Sequence, residues 1–203
     1  ERYTPCPGPK LPQNPTPQPT PPLPTTPPPQ PPPPLATGYA GGGWRLRYFS
    51  YVGGGGDDEA VAVVLAGTRL AITGNTSSTN WPLGGNSFQT NTAGQTDAFF
   101  MLFDPTKDGA ESMTYSSYFG GELNETAQAI AVLPNGNLAI TGYTNSGTLT
   151  GATIGVVLQP SNRGGVDSFV AVVNPNAPAA SGLVFSTFYG GNSTDLASSI
   201  AAD

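Results

Sequence analysis

Residues 53–59 read GGGGDDE, three acids directly after a run of glycines. Calcium takes six to eight oxygen ligands and favours carboxylates, so Asp57, Asp58 and Glu59 are calcium candidates. Known calcium loops space their acids at alternate positions, whereas these three are adjacent and point in different directions on an extended chain. The competing reading is a solvated turn whose Asx side chains accept from backbone amides. At the place matching this cluster, after the Gly-Gly pairs at 120–121 and 190–191, the later copies keep only Glu125 and Asp195. Asp97 recurs as Asp167, each after a polar or glycine-rich stretch. Paired carboxylates would suit glycoside hydrolysis, but the spacing supplies no partner acid, and repetition favours a structural task done once per copy.

Other chemistry is narrowed by what the chain lacks. Histidine is absent and Cys6 is the only cysteine, which removes His/Cys zinc sites, histidine-based triads and internal disulfides. Cys6 has only Lys10 as an activating neighbour; it either bridges two chains or has no specific role. Charge is sparse, with a net of −6, and the interval 108–162 holds no Lys or Arg. A nucleic-acid backbone would find little to grip. No apolar run is long enough to span a membrane as a helix.

Two long stretches, 75–96 and 143–166, lack strand character, and loops of such length tend to be functional or mobile. Trp81 and Phe88 in the first would line a ligand surface or pin the loop to a sheet. Asn75, Asn124 and Asn192 sit in N-x-S/T sequons, a number that chance alone supplies in so Asn-, Ser- and Thr-rich a chain. Thr16, Thr20, Thr25 and Thr26 lie among prolines, as in an O-glycosylated stalk; a bare rigid spacer is the alternative.

The elements that position these residues are written as a repeat. YFSYVGG (48–54), YSSYFGG (115–121) and FSTFYGG (185–191) share one pattern, and LAITG recurs at 70–74 and 138–142. Markers in one order at nearly constant spacing are an internal repeat. Within a period, 127–132, 138–142, 167–173 and 183–189 are short β-branched and aromatic runs. Pro134-Asn135-Gly136 is a hairpin signal between the first two, and Asn174-Pro175-Asn176 follows the third. Four antiparallel strands per period is the content of a β-propeller blade. The expected fold is therefore all-β, with two full blades, a leading strand at 46–52 and an opening strand at 196–202.

The order Y-S-x-Y-x-G-G, A-I-A-V, N-L-A-I-T-G, T-S-S-T-N-W-P…F-Q and D-x-F resembles the SBBP (seven-bladed β-propeller) repeat of bacterial secreted and surface proteins. The resemblance covers about residues 46–203. It departs in the second copy, where TNSGTLTGATIGVV stands for the first copy's TSSTNWPLGGNSFQ. It implies a propeller-type fold and an extracellular bacterial setting, and brings no catalytic residues.

Three segments follow: a proline-rich stalk at 1–37, a glycine-rich hinge at 38–45, and repeats at 46–203, divided at 119/120 and 189/190. More than half of the positions from Pro5 to Pro34 are proline, which sets a polyproline II rod of about 90 Å if fully extended. The expectation is a non-catalytic extracellular or cell-surface module with no cofactor unless calcium binds. Its partners would be other subunits, in a head-to-tail oligomer or filament through unpaired strand edges, or surface glycans. The alternatives are a piece of a secreted propeller enzyme acting on glycans, or a proline-rich segment that docks a partner.

Overall fold

The computed structural model describes residue 46, residues 48–151 and residues 157–203. The stalk with Thr16, Thr20, Thr25 and Thr26, the hinge, Cys6 and Lys10 lie outside the described residues.

Among the described residues, eight strands form two four-stranded antiparallel sheets, each a simple meander. The first sheet contains β1 (Asp58–Ala66), β2 (Arg69–Thr76), β3 (Asp97–Phe103) and β4 (Met113–Phe119). The second contains β5 (Glu125–Val132), β6 (Leu138–Thr144), β7 (Asp167–Val173) and β8 (Leu183–Tyr189). The only helical pieces among the described residues are single turns at Gly109–Ser112 and Ala179–Gly182. The register repeats with the sequence, down to the irregularities. β1 bulges between Ala60 and Ala62 and β5 between Ala127 and Ala129. The Asn-Gly turn closes β5 onto β6, with Gly136 at a φ of +83° that a side chain would strain.

Period-two alternation gives each sheet two apolar faces. On one face of the first sheet, Ala71, Phe100, Leu102, Tyr115 and Phe119 are buried. They share a core with Ala127, Ile130, Ile140, Phe169 and Val173 of the second sheet. Phe119 and Phe169 meet across the junction at 5.3 Å, and the Ala127 amide donates to Asn75 Oδ1 at 2.7 Å. Each aromatic so buried contributes about 2–3 kcal/mol, which makes this junction the main source of stability. The opposite face of the first sheet carries a smaller cluster of Trp81, Phe99, Met101 and Tyr118.

The flanking segments join neither sheet. Tyr48 meets Phe103 edge-on at 4.5 Å, and its hydroxyl lies 3.0 Å from Ser112 Oγ. At the other end the Asp195 amide donates to the Val166 carbonyl at 2.7 Å, as the Glu125 amide does to Thr96 at 2.9 Å. Neither 48–52 nor 196–203 carries a strand ladder.

Candidate functional site

The recurring acids converge at the sheet junctions, where each is held by neutral donors. Glu125, at the start of β5, is fully buried. Its Oε1 accepts from the hydroxyls of Thr144 (2.5 Å) and Ser146 (2.6 Å), and its Oε2 accepts from the Gly121 amide (2.8 Å). Asp58 repeats this at the start of β1, accepting from Thr76 Oγ1 (2.5 Å), Ser78 Oγ (2.8 Å) and the Gly54 amide (2.7 Å). Asp195 has the first part of the set, an amide bond from Gly191 at 2.8 Å. In all three copies the second glycine of the Gly-Gly pair donates to the acid that follows it. The pair is thus a hinge clasped by a carboxylate.

The first glycine of each pair is required because a Cβ there would run into the acids. A Cβ at Gly120 would stand 2.5 Å from Glu125 Oε2 and 2.6 Å from Asp97 Cγ. At Gly190 it would stand 2.5 Å from Asp167 Cγ. The run at 53–56 follows the same logic. The amides of Gly55, Gly56 and Asp57 are taken up by Asn80 Oδ1 (2.7 Å), Ser78 Oγ (2.8 Å) and Ser77 Oγ (2.8 Å).

Asp97 and Asp167, at the starts of β3 and β7, are also fully buried. Asp97 accepts from Gln89 Nε2 (2.8 Å) and the amides of Ala93 (2.9 Å) and Gly94 (3.1 Å). Asp167 accepts from Gln159 Nε2 (2.7 Å) and the Arg163 amide (3.0 Å). Its Oδ1 has no partner, since Gly164 donates to Asn162 instead. Each glutamine also accepts at Oε1 from the nearby hinge amide, Gly120 or Gly190, at 3.2 Å. Burial pushes the Asp97 and Glu125 carboxyls above the ordinary acid range against the pull of their donors, and Asp97 adds to the rise at Glu125.

The calcium candidates do not share one ligand sphere. Asp58 is clasped as described, while Asp57 and Glu59 are exposed beside it. They rim an open hollow of about 350 Å³ with Asn75, Ser77, Thr96 and Thr126. Among the described residues no group of three or more His, Cys, Asp or Glu side chains is arranged to hold a metal ion. Among those residues no helix is long and apolar enough to cross a membrane.

The described residues of the long loops meet the outer strand of each sheet. In the first, Gly84 bridges to Ser116, and the Gln89 carbonyl accepts from the Tyr118 amide at 3.2 Å. In the second, the Gln159 carbonyl accepts from the Phe188 amide at 3.0 Å, and the Thr150 carbonyl accepts from Ser186 Oγ at 2.7 Å. The described residues of each loop therefore cover part of the edge that would otherwise template another strand. Trp81 is 4% exposed and stacks on Phe99 at 4.2 Å, with Nε1 donating to Ser116 Oγ at 2.8 Å. Phe88 lies edge-on to Phe100 at 6.3 Å in the core between the sheets. W81F keeps the stacking surface but orphans Ser116, so it should cost about 1–2 kcal/mol in a urea titration.

Asn75 is committed to the Ala127 amide, Asn124 is half-buried, and Asn192 is exposed. Reading the sequence alone does not single out Gln89, Gln159, Thr76, Thr144, Ser78 or Ser146. A signal is nonetheless present: a glutamine at the same offset before each recurring aspartate, and T-x-S at 76–78 and 144–146. No protein-family model matches the chain, and no curated protein matches it.

Proposed function

We propose that the two sheets are successive blades of a β-propeller of the SBBP-repeat kind. The chain then serves as a non-catalytic extracellular module of a bacterial surface, adhesive or filament component. The observation that carries this reading is the fate of the repeated acids. Glu125 and Asp58 use both carboxylate oxygens to clasp a hinge, and the two glutamines, held by Asp97 and Asp167, tie the preceding loop to the hinge at 120–121 or 190–191. A group that must move a proton needs a free lone pair facing substrate. Here Asp58, Asp97 and Glu125 accept at both oxygens from scaffold donors, and repeating a scaffold is what a presenting surface requires.

In this reading the module acts by presentation. The proline-rich segment is a spacer that holds the blades clear of their anchor, and blade surfaces make the contacts with other subunits or with surface glycans. Calcium is not needed for it. Removing residues 1–37 should leave the urea unfolding midpoint of the repeats unchanged, while surface exposure of the repeats, read by antibody labelling of intact cells, should fall several-fold. Unchanged labelling would remove the spacer role and leave only the repeat module.

A further inference from the structure

We propose that Asp97 and Glu125 share one proton beside Gly120, as a latch that tightens the junction of the two sheets on acidification. The latch goes beyond the presenting role and holds whether or not the sheets are propeller blades. Asp97 opens β3 in the first sheet, Glu125 opens β5 in the second, and both are fully buried. Their segments are pinned side by side, with the Gln95 amide donating to Leu123 and the Glu125 amide donating to Thr96, each at 2.9 Å. The two carboxyls reach the same point. The position of a Cβ at Gly120 lies 2.5 Å from Glu125 Oε2 and 2.8 Å from Asp97 Oδ1.

The donors around the pair are unevenly shared. Glu125 Oε1 accepts from two hydroxyls, Thr144 and Ser146, and Asp97 Oδ2 accepts from Gln89 Nε2 and the Ala93 amide. Glu125 Oε2 and Asp97 Oδ1 each accept from a single amide, Gly121 and Gly94. A carboxylate oxygen has two lone pairs, so the two oxygens that meet at Gly120 each keep one unused. Like charges held this close do not both ionise without cost, and one proton serves both oxygens.

No described cation stands in for that proton. Arg69, Lys107 and Arg163 are the cations among the described residues. Arg69 lies at the opposite end of β2 from Thr76, which faces Asp97, and Arg69 and Lys107 act on Asp104 instead. Arg163 lines a separate hollow with Tyr189 and Asp195. The other titratable groups near the pair are acids and phenols. Asp58 stands across Thr76 from Asp97, and Asp167 across Thr144 from Glu125. Exposed Asp57 and Glu59 share a hollow with Thr96 and Thr126, and Glu122 is turned to Gly147 and Thr148. Tyr115 and Tyr118 come from β4 and Tyr143 from β6. Every carboxylate in this set adds to the pull for a proton.

Burial pushes both carboxyls above the ordinary range, and the Asp97 charge raises Glu125 further. The folded pair therefore binds its first proton more tightly than the unfolded chain does. The stabilisation is fully present below the ordinary carboxylate range and is lost as pH rises through the shared step. Once both groups are ionised, they separate only by drawing Glu125 off the Gly121 amide or Asp97 off the Gly94 amide, and the hinge slackens.

The test is an NMR titration of the side-chain carboxyl carbons in the full chain. Asp97 and Glu125 should shift together in one step above the ordinary carboxylate range, the second proton entering only at much lower pH. In Asp97→Asn the Glu125 midpoint should fall by about one pH unit, because the neighbouring charge is gone while burial stays. Protection of the Gly121 amide from hydrogen exchange should drop several-fold as wild type passes upward through the step, and should drop less in Asp97→Asn. Separate steps for the two carboxyls, or a Glu125 midpoint that Asp97→Asn leaves in place, would overturn the proposal. Should Asp97→Asn not fold, the wild-type titration decides alone.

Discussion

Gly142→Ala should destabilise the protein by about 4 kcal/mol or more, enough to consume much of a domain's typical 5–15 kcal/mol. The reason is steric and lies in the backbone. β5 bulges at Ala127/Ala129, directly opposite Gly142, and the bulge bends the strand across its partner. A Cβ at Gly142 would overlap the Thr126 carbonyl oxygen and stand 2.9 Å from Ala127 Cα. Neither atom belongs to a side chain that can swing away, so β5 and β6 would have to separate where Glu125 begins its clasp. Gly74 stands in the same relation to the Glu59 carbonyl across the β1 bulge. That is why LAITG ends in glycine in both copies.

Gly136→Ala should cost far less. Gly136 has a φ of +83° with nothing within 4 Å of its Cβ position, so its cost is conformational only, about 1 kcal/mol. Urea titrations of the two variants should therefore differ severalfold in their loss of stability. Equal losses would mean that the strands do not approach as closely at the bulge as the structure places them.

The pair of glycines shows what a sequence discloses and what it withholds. The turn role of Gly136 is legible from Pro134-Asn135-Gly136, because turn chemistry is local. The strands are legible too, since period-two alternation and β-branched content reflect the immediate backbone. The 138–142 and 167–173 runs fall within β6 and β7 almost residue for residue. What Gly142 does is set by a bulge on the preceding strand, and no local pattern announces it. The acids divide in the same way. Asp97 and Asp167 stand out because they repeat, but their partners lie in loops with no periodicity to read. Gln89 Nε2 reaches Asp97 only because the loop doubles back along β4, a path fixed by Gly84, Ser87 and Trp81 against Ser116. Long polar loops resemble ligand surfaces for the same reason. Their edge-covering role is visible only once the register of the outer strand is known.

Glu125→Ala should cost about 3 kcal/mol or more, and Asp58→Ala clearly less, although the two clasps have the same kinds of partner. The Thr144 and Ser146 hydroxyls and the Gly121 amide are buried, so removing Glu125 strands three donors out of reach of water. Around Asp58 the Thr76 and Ser78 hydroxyls are buried too, but the Gly54 amide is exposed and the carboxylate itself is only half-buried, so solvent can replace part of what is lost. Glu125→Gln is the finer probe, because its oxygen can still accept from both hydroxyls while its amide group opposes the Gly121 N–H. Its pH dependence has a definite sign. Burial holds the Glu125 carboxyl above the ordinary glutamate range, so the folded chain binds that proton more tightly than the unfolded chain does. The contribution is fully present below the ordinary range and is lost as pH rises through the raised value. The advantage of wild type over Glu125→Gln, measured by urea midpoints across a pH series, should therefore be greatest on the acid side and shrink towards neutrality. The opposite slope would mean that the donors outweigh burial at this site. A Glu125→Ala protein of wild-type stability would mean that the carboxylate is held for something other than the hinge.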